Sequence, residues 1–227
     1  MKDLLLLGAS GLAREVLADL GDSYRVVGIL DDDSARHGER LAGIPILGDV
    51  DRAALYEADL IVCIGSGQGR RRLVDRLTGL GIGGDRYATF ISSAAHVPPG
   101  NQVGVGSILM AGVVLTANVS VGRHVVIMPN ATLTHDNVVN DFVTIASGVA
   151  LGGSVVLGAA CYIGMNASVR QNLEVGGGAT VGMGAVVLEN IPVGETWFNV
   201  PARPLSRRAP PAGPFDSPGD TSSGVPS

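Results

Sequence analysis

The second half of the sequence repeats with a period of six residues. An aliphatic residue occupies every sixth position from Ile91 to Val193, and glycine directly follows many of these residues. Four positions after most of them stands a small or β-branched residue, as at Val119 and Ala131. This period fits neither an α-helix nor a simple alternating strand. It is typical of a prism whose sides are short strands, with the aliphatic residues pointing inward and the small residues at tight corners.

Three such hexads close one triangular turn, so residues eighteen positions apart are expected to stack at the strand spacing of about 4.8 Å. The run from Ile91 to Val193 then makes between five and six turns. Successive turns would pair as parallel strands and bury a continuous aliphatic ladder. The sequence therefore predicts an all-β left-handed parallel β-helix of the hexapeptide-repeat type over residues 89–205.

The first 88 residues follow another pattern. Short apolar strands alternate with amphipathic helices, and glycine turns follow the strands at Gly8 and Gly65. This alternation predicts a small Rossmann-like α/β domain over residues 1–88, with ligands at the carboxyl edge of its parallel sheet. Residues 206–227 are rich in Pro, Gly and Ser without periodicity, which predicts a disordered tail.

Composition narrows the function classes. Aromatic residues are scarce at 4%, and the net charge is −5 without a basic cluster that has interleaved aromatics, which argues against a nucleic-acid partner. The apolar run Leu4–Leu7 is too short for an export signal or a membrane span, so a cytoplasmic protein without a membrane segment is expected. Cys63 and Cys161 lie in apolar stretches and are predicted to be buried free thiols.

The order of these parts, with the motifs Thr134-His135-Asp136 and Val200-Pro201-Ala202-Arg203, resembles the sialic-acid-type sugar acetyltransferases. This family includes bacterial enzymes that N-acetylate amino groups of nucleotide-linked sugars. The resemblance covers about residues 1–204. It implies an acetyl-CoA-dependent acetyltransferase whose acceptor is an amino group, less favourably a hydroxyl, of a sugar that is nucleotide-linked. It also implies a homotrimer with coenzyme A between subunits, and no metal.

The resemblance points to His135 as the catalytic base, with Asp136 as its partner. Acetyl transfer needs a base to remove the acceptor's proton and donors for the oxyanion that forms on the thioester carbonyl. His135 stands at the third position of the hexad begun by Leu133, outside the inward ladder. An imidazole suits the base, and Asp136 would orient it and stabilise the imidazolium.

The eighteen-residue spacing stacks Gly153 one turn from His135, where its N–H would be open to a thioester. The resemblance likewise implies that a backbone N–H here contacts the acetyl carbonyl. It also implies that coenzyme A binds along residues near the C-terminal end of the coil, namely Met165, Gly182, Met183, Gly184 and Arg203. Arg203 could contact a phosphate of the cofactor.

The α/β domain would hold the nucleotide of the acceptor. Gly8, Ser10 and Gly11 lie at a helix start, where N–H groups can cradle a diphosphate. Asp31 and Asp32 end the second strand, where family members contact the nucleotide, although strand-ending aspartates also commonly form turns.

Three positions differ from the family pattern. Leu12 stands where the glycine loop commonly carries a histidine, and Thr144 replaces a second histidine found after the His-acid pair. Met128 replaces an asparagine seven residues before His135, with Asn130 as a substrate-binding candidate two positions later. These differences concern the acceptor more than the acetyl transfer.

Three other hypotheses about the function were considered: two are disfavoured by the sequence, and the third stays open. A zinc-dependent carbonic anhydrase on the same fold needs three convergent histidines, but His124 and His135 are not spaced by a multiple of eighteen and no third histidine follows. A nicotinamide-dependent oxidoreductase is disfavoured, because the Gly-x-Gly-x-x-Gly motif is missing from the sequence. A non-catalytic β-helix scaffold or sugar-binding subunit remains an alternative.

Overall fold

An α/β unit precedes a long coil of short strands in the computed structural model, which describes residues 1–22 and 24–205. The predicted disordered tail, residues 206–227, lies outside the described residues. The α/β unit contains five strands and two α-helices: β1 (Lys2–Leu7), α1 (Gly11–Asp19), β2 (Tyr24–Leu30), β3 (Arg40–Leu41), β4 (Ile44–Pro45), β5 (Asp59–Val62) and α2 (Gly67–Gly79). Three 3₁₀ turns complete it: Ser34–Arg36, Val50–Leu55 and Gly84–Arg86.

The sheet of the α/β unit has the strand order β2-β1-β5, and its strands are parallel. Leu4–Leu7 in the central strand are fully buried, as expected for a strand covered on both faces. The N-caps of the two helices explain why they begin where they do. Ser10 accepts a hydrogen bond from the N–H of Ala13 at 3.2 Å, and Ser66 accepts one from Gly69 at 3.2 Å. The strands β3 and β4 form a separate antiparallel hairpin.

The coil consists of eighteen short strands, most of them two residues long: β6 (Phe90–Ile91), β7 (Gln102–Val103), β8 (Ile108–Leu109), β9 (Val114–Leu115), β10 (Ser120–Val121), β11 (Val126–Ile127), β12 (Thr132–Leu133), β13 (Val138–Val139), β14 (Thr144–Ile145), β15 (Ala150–Leu151), β16 (Val156–Leu157), β17 (Tyr162–Ile163), β18 (Ser168–Val169), β19 (Glu174–Val175), β20 (Thr180–Val181), β21 (Val186–Val187), β22 (Thr196–Phe198) and β23 (Arg203–Pro204).

These strands stack into three sheets, which are the three faces of a prism. Face 1 has the order β23-β22-β20-β17-β14-β11-β8-β6, face 2 the order β21-β18-β15-β12-β9, and face 3 the order β19-β16-β13-β10-β7. The chain visits the faces in the order 1, 2, 3, and each central strand pairs in parallel with the strand one turn away, as Thr132 does with Ala150. The predicted left-handed parallel β-helix is confirmed.

The six-residue period has a backbone cause as well as a packing cause. One residue in nearly every hexad turns the corner in the left-handed conformation, with φ between 53° and 63°: Asn118, His124, Asn130, Asp136, Phe142, Ser154, Ala160, Asn166 and Asn172. Asparagine is common here because its short polar side chain tolerates this conformation. The next residue fills the inside of the corner, and Ala131 and Val143 are fully buried there.

The prediction that every residue of the aliphatic ladder points inward is wrong at the two ends of the ladder. Ile91 is 40% exposed and Val193 is 77% exposed, whereas the residues between Leu109 and Val187 in the ladder are buried. Ile91 lies in the edge strand of face 1, so no further turn covers its side chain. At the other end the repeat shortens by two residues: Ile191, not Val193, pairs with Val175 on face 3 and is buried in the ladder position. Phe90, one position earlier than Ile91, is buried instead against the α/β unit.

The α/β unit packs against face 1. Ile108, Met110 and Val126 share a hydrophobic core with residues of the first sheet and helix, including Leu6 and Ala13. The corner between faces 2 and 3 is the one opposite face 1 in a triangular coil. Side chains at the corner between faces 2 and 3 therefore lie on the far side of the prism from the α/β unit of the same chain.

Candidate functional site

His135 lies at the corner between faces 2 and 3, in the turn from β12 to β13. Its Nδ1 lies 2.8 Å from Oδ2 of Asp136, and its side chain is 63% exposed. An ionised carboxylate can only accept a hydrogen bond, so Nδ1 carries the proton. Nε2 then keeps its lone pair, and the ring is able to accept a proton from a bound group.

Asp136 is itself oriented by a residue that the sequence analysis missed. Nδ2 of Asn118 donates to Oδ1 of Asp136 at 2.7 Å from one turn earlier at the same corner. The hydrogen bonds from Asn118 and then from His135 hold the pKa of Asp136 below its usual value. Asn118, Asp136 and His135 therefore form a chain of hydrogen bonds in which the carboxylate stays ionised. The eighteen-residue spacing, counted backward from Asp136, would have found Asn118.

Gly153 lies against the imidazole, as its spacing predicts. A Cβ at this position would overlap Cε1 and Nε2 of His135, so only glycine leaves the ring in this place. The N–H of Gly153 has no acceptor within residues 1–22 and 24–205, although its carbonyl accepts from Asn172 at 2.9 Å. A free backbone donor thus lies beside the edge of the ring that carries the lone pair.

The residues predicted to hold coenzyme A lie at other places on the coil. Met165 and Gly184 are neighbours at the corner between faces 1 and 2, where the N–H of Gly184 donates to the carbonyl of Met165 at 2.8 Å. Met183 is 69% exposed beside them, and Gly182 precedes it in the same turn. This corner and the corner of His135 are separated by the whole of face 2.

Two further predicted residues do not reach His135 either. Arg203 lies in the last strand of face 1, where it donates to Glu189 at 3.3 Å and to the carbonyl of Ala202 at 2.9 Å. Asn130 is an exposed corner residue with a φ of 62°, at the corner between faces 1 and 2. Of the predicted residues on the coil, the structure places only Asp136 and Gly153 beside His135.

A cavity of about 540 Å³ opens at the carboxyl edge of the small sheet. Its lining includes Gly8, Ser10, Asp31 and Asp32, four of the five residues predicted to bind the nucleotide, and excludes Gly11. We call it the edge cavity. Its position is the one at which parallel sheets of this type bind ligands.

Several predicted groups of the edge cavity are already engaged within the protein. The N–H of Gly8 donates to the carbonyl of Leu30 at 2.8 Å, so it is not free to cradle a phosphate. The carboxylate of Asp31 accepts from the N–H groups of Ala9 at 2.6 Å and Asp33 at 2.9 Å. These contacts shape the turn, whereas the N–H of Gly11 has no acceptor in the described part of the chain.

Three arginines complete the edge cavity, and no role was predicted for any of them from the sequence. Arg76 is tied to Asp32 at 2.7 Å and to Asp51 at 2.6 Å. Arg36 donates to the carbonyl of Ala9. Arg72 lines the cavity without an ion-pair or hydrogen-bond partner among the described residues, so its charge is available to an anion.

A second, apolar depression of about 360 Å³ adjoins the edge cavity through Ser10 and Gly65, which line both. We call it the groove; it lies between the start of α1 and face 1. All three positions that differ from the family pattern line it, namely Leu12, Met128 and Thr144. Its other lining residues are Gly11, Val126, Ala146, Ser147, Tyr162 and Met165, so it contains no charged side chain.

His124 belongs to the protein interior. Its ring stacks on Phe142 with 5.2 Å between centroids and meets Tyr87 edge-on at 4.7 Å. Burial, with smaller contributions from Arg123 and Arg70, lowers the pKa of His124 to about 4. Among residues 1–22 and 24–205, no three histidine, cysteine or acidic side chains converge on a possible metal position.

Both cysteines are buried free thiols, as predicted. Burial raises the pKa of Cys161 to about 12, and burial also raises the pKa of Cys63. Neither thiol is therefore a nucleophile near neutral pH. The described helices include none that is long and apolar enough to cross a membrane.

A parallel hexapeptide coil with an exposed His-Asp pair at its corner defines a hexapeptide-repeat acyltransferase. The family described as the PglD N-terminal domain matches residues 3–77. The acetyltransferase domain of PglB from Neisseria gonorrhoeae is 31% identical with a TM-score of 0.79, and the match covers 90% of this chain and 100% of that one. The comparison with curated protein sequences found no match.

Two other solved structures match over nearly the same length. PerB from Caulobacter crescentus, in complex with CoA and GDP-perosamine, is 26% identical with a TM-score of 0.83, covering 91% of this chain and 98% of that one. WeeI from Acinetobacter baumannii is 28% identical with a TM-score of 0.81, covering 90% and 100%. The chain belongs to the family of hexapeptide-repeat sugar acetyltransferases with a PglD-type N-terminal domain.

Proposed function

We propose that the protein transfers an acetyl group from acetyl-CoA to the amino group of a nucleotide-linked sugar. The observation that carries this function is the hydrogen-bonded series of Asn118, Asp136 and His135, with the free N–H of Gly153 beside the imidazole ring. The relatives support the substrates: PerB was solved with CoA and GDP-perosamine, and the PglB domain with acetyl coenzyme A.

In this mechanism Nε2 of His135 removes a proton from the amine as the amine nitrogen attacks the thioester carbonyl. Asp136 stabilises the imidazolium that results, because its carboxylate is ionised and held by Asn118. The N–H of Gly153 is the donor within this chain for the oxyanion that forms on the carbonyl carbon. Collapse of the tetrahedral species breaks the carbon–sulfur bond, and the imidazolium returns its proton to the leaving thiolate.

We propose that the edge cavity in the domain spanning residues 1–88 holds the nucleotide of the acceptor. Arg72 supplies the charge for the diphosphate, and the N-terminal N–H groups of α1, including that of Gly11, supply donors. The sugar then enters the adjoining groove. The apolar lining contributed by Leu12 and Met128 makes the groove a poor environment for hydroxyl groups without partners.

The groove and His135 lie on opposite sides of one prism, so we propose that one subunit binds the acceptor and a neighbouring subunit supplies His135. A homotrimer of prisms brings a corner of one copy to the face of the next. In such a trimer, coenzyme A would lie in the interface between two subunits. The residues proposed to line it there are Met165, Gly182, Met183 and Gly184, with Arg203 near the end of the interface. Two buried free thiols fit a reducing compartment, which supports a cytoplasmic location.

The shared-site proposal is tested by mixing two inactive proteins. One protein carries His135→Ala, and the other carries Arg72→Glu, which damages only the edge cavity. The two proteins are mixed, unfolded together and refolded. Activity should reappear, since mixed trimers contain sites with one intact half from each parent. Mixtures that stay as inactive as either parent, with light scattering showing trimers, would contradict a site shared between subunits.

The function is tested by following thiol release from acetyl-CoA across amino sugars, free and nucleotide-linked. Turnover is expected with nucleotide-linked amines and should be much weaker with the free sugars, which cannot occupy the edge cavity. Binding of nucleotide-linked sugars without any thiol release would favour the alternative of a non-catalytic sugar-binding subunit.

A further inference from the structure

Arg70 is a fully buried arginine in helix α2 that reaches out of its own unit into the coil. Its side chain is 0% exposed. Within its own unit, Nη1 donates to the carbonyl oxygens of Ile64 at 2.8 Å and Gly65 at 3.0 Å. The remaining donors all point at the β-helix.

On the coil, Nε of Arg70 donates to the carbonyl of His124 at 2.8 Å. Nη2 donates to the carbonyls of Phe142 at 3.0 Å and Val143 at 2.8 Å, and to Oγ1 of Thr144 at 3.1 Å. These acceptors belong to two successive turns at the corner between faces 3 and 1. One guanidinium therefore ties the end of β5 to two turns of the coil.

The charge of Arg70 is stabilised by the dipoles of carbonyl and hydroxyl oxygens, and no carboxylate pairs with it among the described residues. Burial lowers its pKa to about 10, which still leaves the side chain protonated near neutral pH. A buried cation held by carbonyl oxygens fixes those oxygens in place, because moving any of them away leaves a buried donor without a partner.

The segment that Arg70 holds forms part of both proposed acceptor sites. Ile64 and Gly65 line the edge cavity, and Gly65 and Thr144 line the groove. Thr144 also donates to the carbonyl of Gly65 at 2.8 Å. The contact is close: a Cβ on Gly67 would overlap the carbonyl oxygen of Phe142.

We propose that Arg70 is a positioning residue for the acceptor: it holds the Ile64–Gly65 segment in register with the coil, so that the edge cavity and the groove form one continuous site. This inference rests on the proposed function. It assigns to Arg70 no contact with the acceptor. It also predicts that acetyl-CoA binding is spared, because the cofactor site proposed above touches the groove only at Met165 and includes no residue bonded to Arg70.

Arg86 provides a matched control, because it is a partly buried arginine that holds two carbonyl oxygens within the α/β unit alone. Its Nη2 donates to Tyr56 and to Ala58, both at 2.7 Å. Loss of Arg86 should lower the stability of the unit without changing its register against the coil. A purely structural role for Arg70 would make the two arginines behave alike.

The experiment compares Arg70→Ala, Arg70→Lys and Arg86→Ala as full-length proteins. Arg70→Ala is expected to raise the KM for the nucleotide-linked amino sugar by about tenfold or more, while the Kd for acetyl-CoA stays within about twofold. Arg70→Lys should lie between wild type and Arg70→Ala, because lysine keeps the charge but offers fewer fixed donors. Guanidinium chloride at low millimolar concentration should lower the raised KM of Arg70→Ala and leave Arg86→Ala unchanged.

An unchanged acceptor KM in folded Arg70→Ala would overturn the proposal, and so would an equal rise in Arg86→Ala. If Arg70→Ala does not fold, the same comparison is decided with Arg70→Lys, for which an unchanged KM overturns the proposal. If wild type shows no turnover, the proposed function fails. The comparison then proceeds by calorimetric titration with the nucleotide-linked sugar, so the two failures are distinguishable.

Discussion

Asn118 donates a hydrogen bond to Asp136 at 2.7 Å from a position eighteen residues earlier in the chain. The two residues occupy the same corner of successive turns, and both have left-handed backbone conformations, with φ of 54° and 59°. Because Asp136 also bonds Nδ1 of His135, the amide of Asn118 acts on the imidazole through the carboxylate.

Asn118→Gly removes this hydrogen bond while keeping the left-handed backbone. It is expected to lower kcat by about three- to tenfold, because the carboxylate that orients the imidazole loses one hydrogen-bond donor, with the Kd for acetyl-CoA unchanged. Asn172→Gly is the matched control, since Asn172 has a φ of 58° at the same corner and no side-chain hydrogen bond among the described residues. Equal kcat values for the two variants would show that Asn118 does not act on the pair.

Much of the fold could be predicted because a six-residue period is visible in single residues. The same arithmetic predicted that Gly153 lies against His135. It failed at Ile91, which no further turn covers, and at Val193, because the repeat shortens by two residues there and Ile191 takes the buried position. The role of Arg70 could not be predicted, because carbonyl oxygens of distant residues carry no signature in the sequence.

Gly153→Ala tests the space beside the imidazole. Its Cβ would overlap His135, whose ring must then move from Asp136, so kcat should fall by about 10²-fold while the protein remains folded. Gly177 stands at the same position of its own hexad, and a Cβ there would lie 3.3 Å from its nearest neighbour, the carbonyl oxygen of Ala159. Gly177→Ala should keep kcat within about twofold of wild type. A fully active Gly153→Ala would contradict the stacking of residue 153 on the ring.

The buried His124 should make the free energy of unfolding depend on pH. Its pKa of about 4 lies below the ordinary value of about 6.5, so the unfolded state binds more protons between these values. Its contribution to stability is therefore complete above about pH 6.5 and is lost as pH falls toward 4, by on the order of 3 kcal/mol. His124→Phe keeps a ring between Tyr87 and Phe142 without a titrating group.

Urea unfolding of both proteins from pH 7.5 to 4.5 provides the measurement. The free energy of unfolding of wild type should fall more steeply than that of His124→Phe over this range. Parallel curves would mean that His124 is not held neutral by burial.

Arg72 and Arg71 are neighbours in helix α2 with different surroundings. Arg72 lines the edge cavity, whereas the guanidinium of Arg71 lies 5.2 Å from the centroid of the Phe142 ring. Arg72→Ala should raise the KM for a nucleotide-linked sugar by about tenfold, since one charge-assisted contact with a phosphate is lost. Arg71→Ala should raise it by less than about twofold. The assignment of Arg72 to the diphosphate fails if Arg71→Ala has the larger effect in the same assay.

The catalytic role of His135 is tested most directly by measuring His135→Ala turnover and acetyl-CoA binding on the same preparation. General-base catalysis contributes about 10²–10⁴-fold, so turnover of a nucleotide-linked amino sugar should fall by that factor. The Kd for acetyl-CoA should remain near that of wild type, because none of the contacts proposed for the cofactor is made by the imidazole itself. Wild-type turnover in His135→Ala would contradict the account and place the base elsewhere.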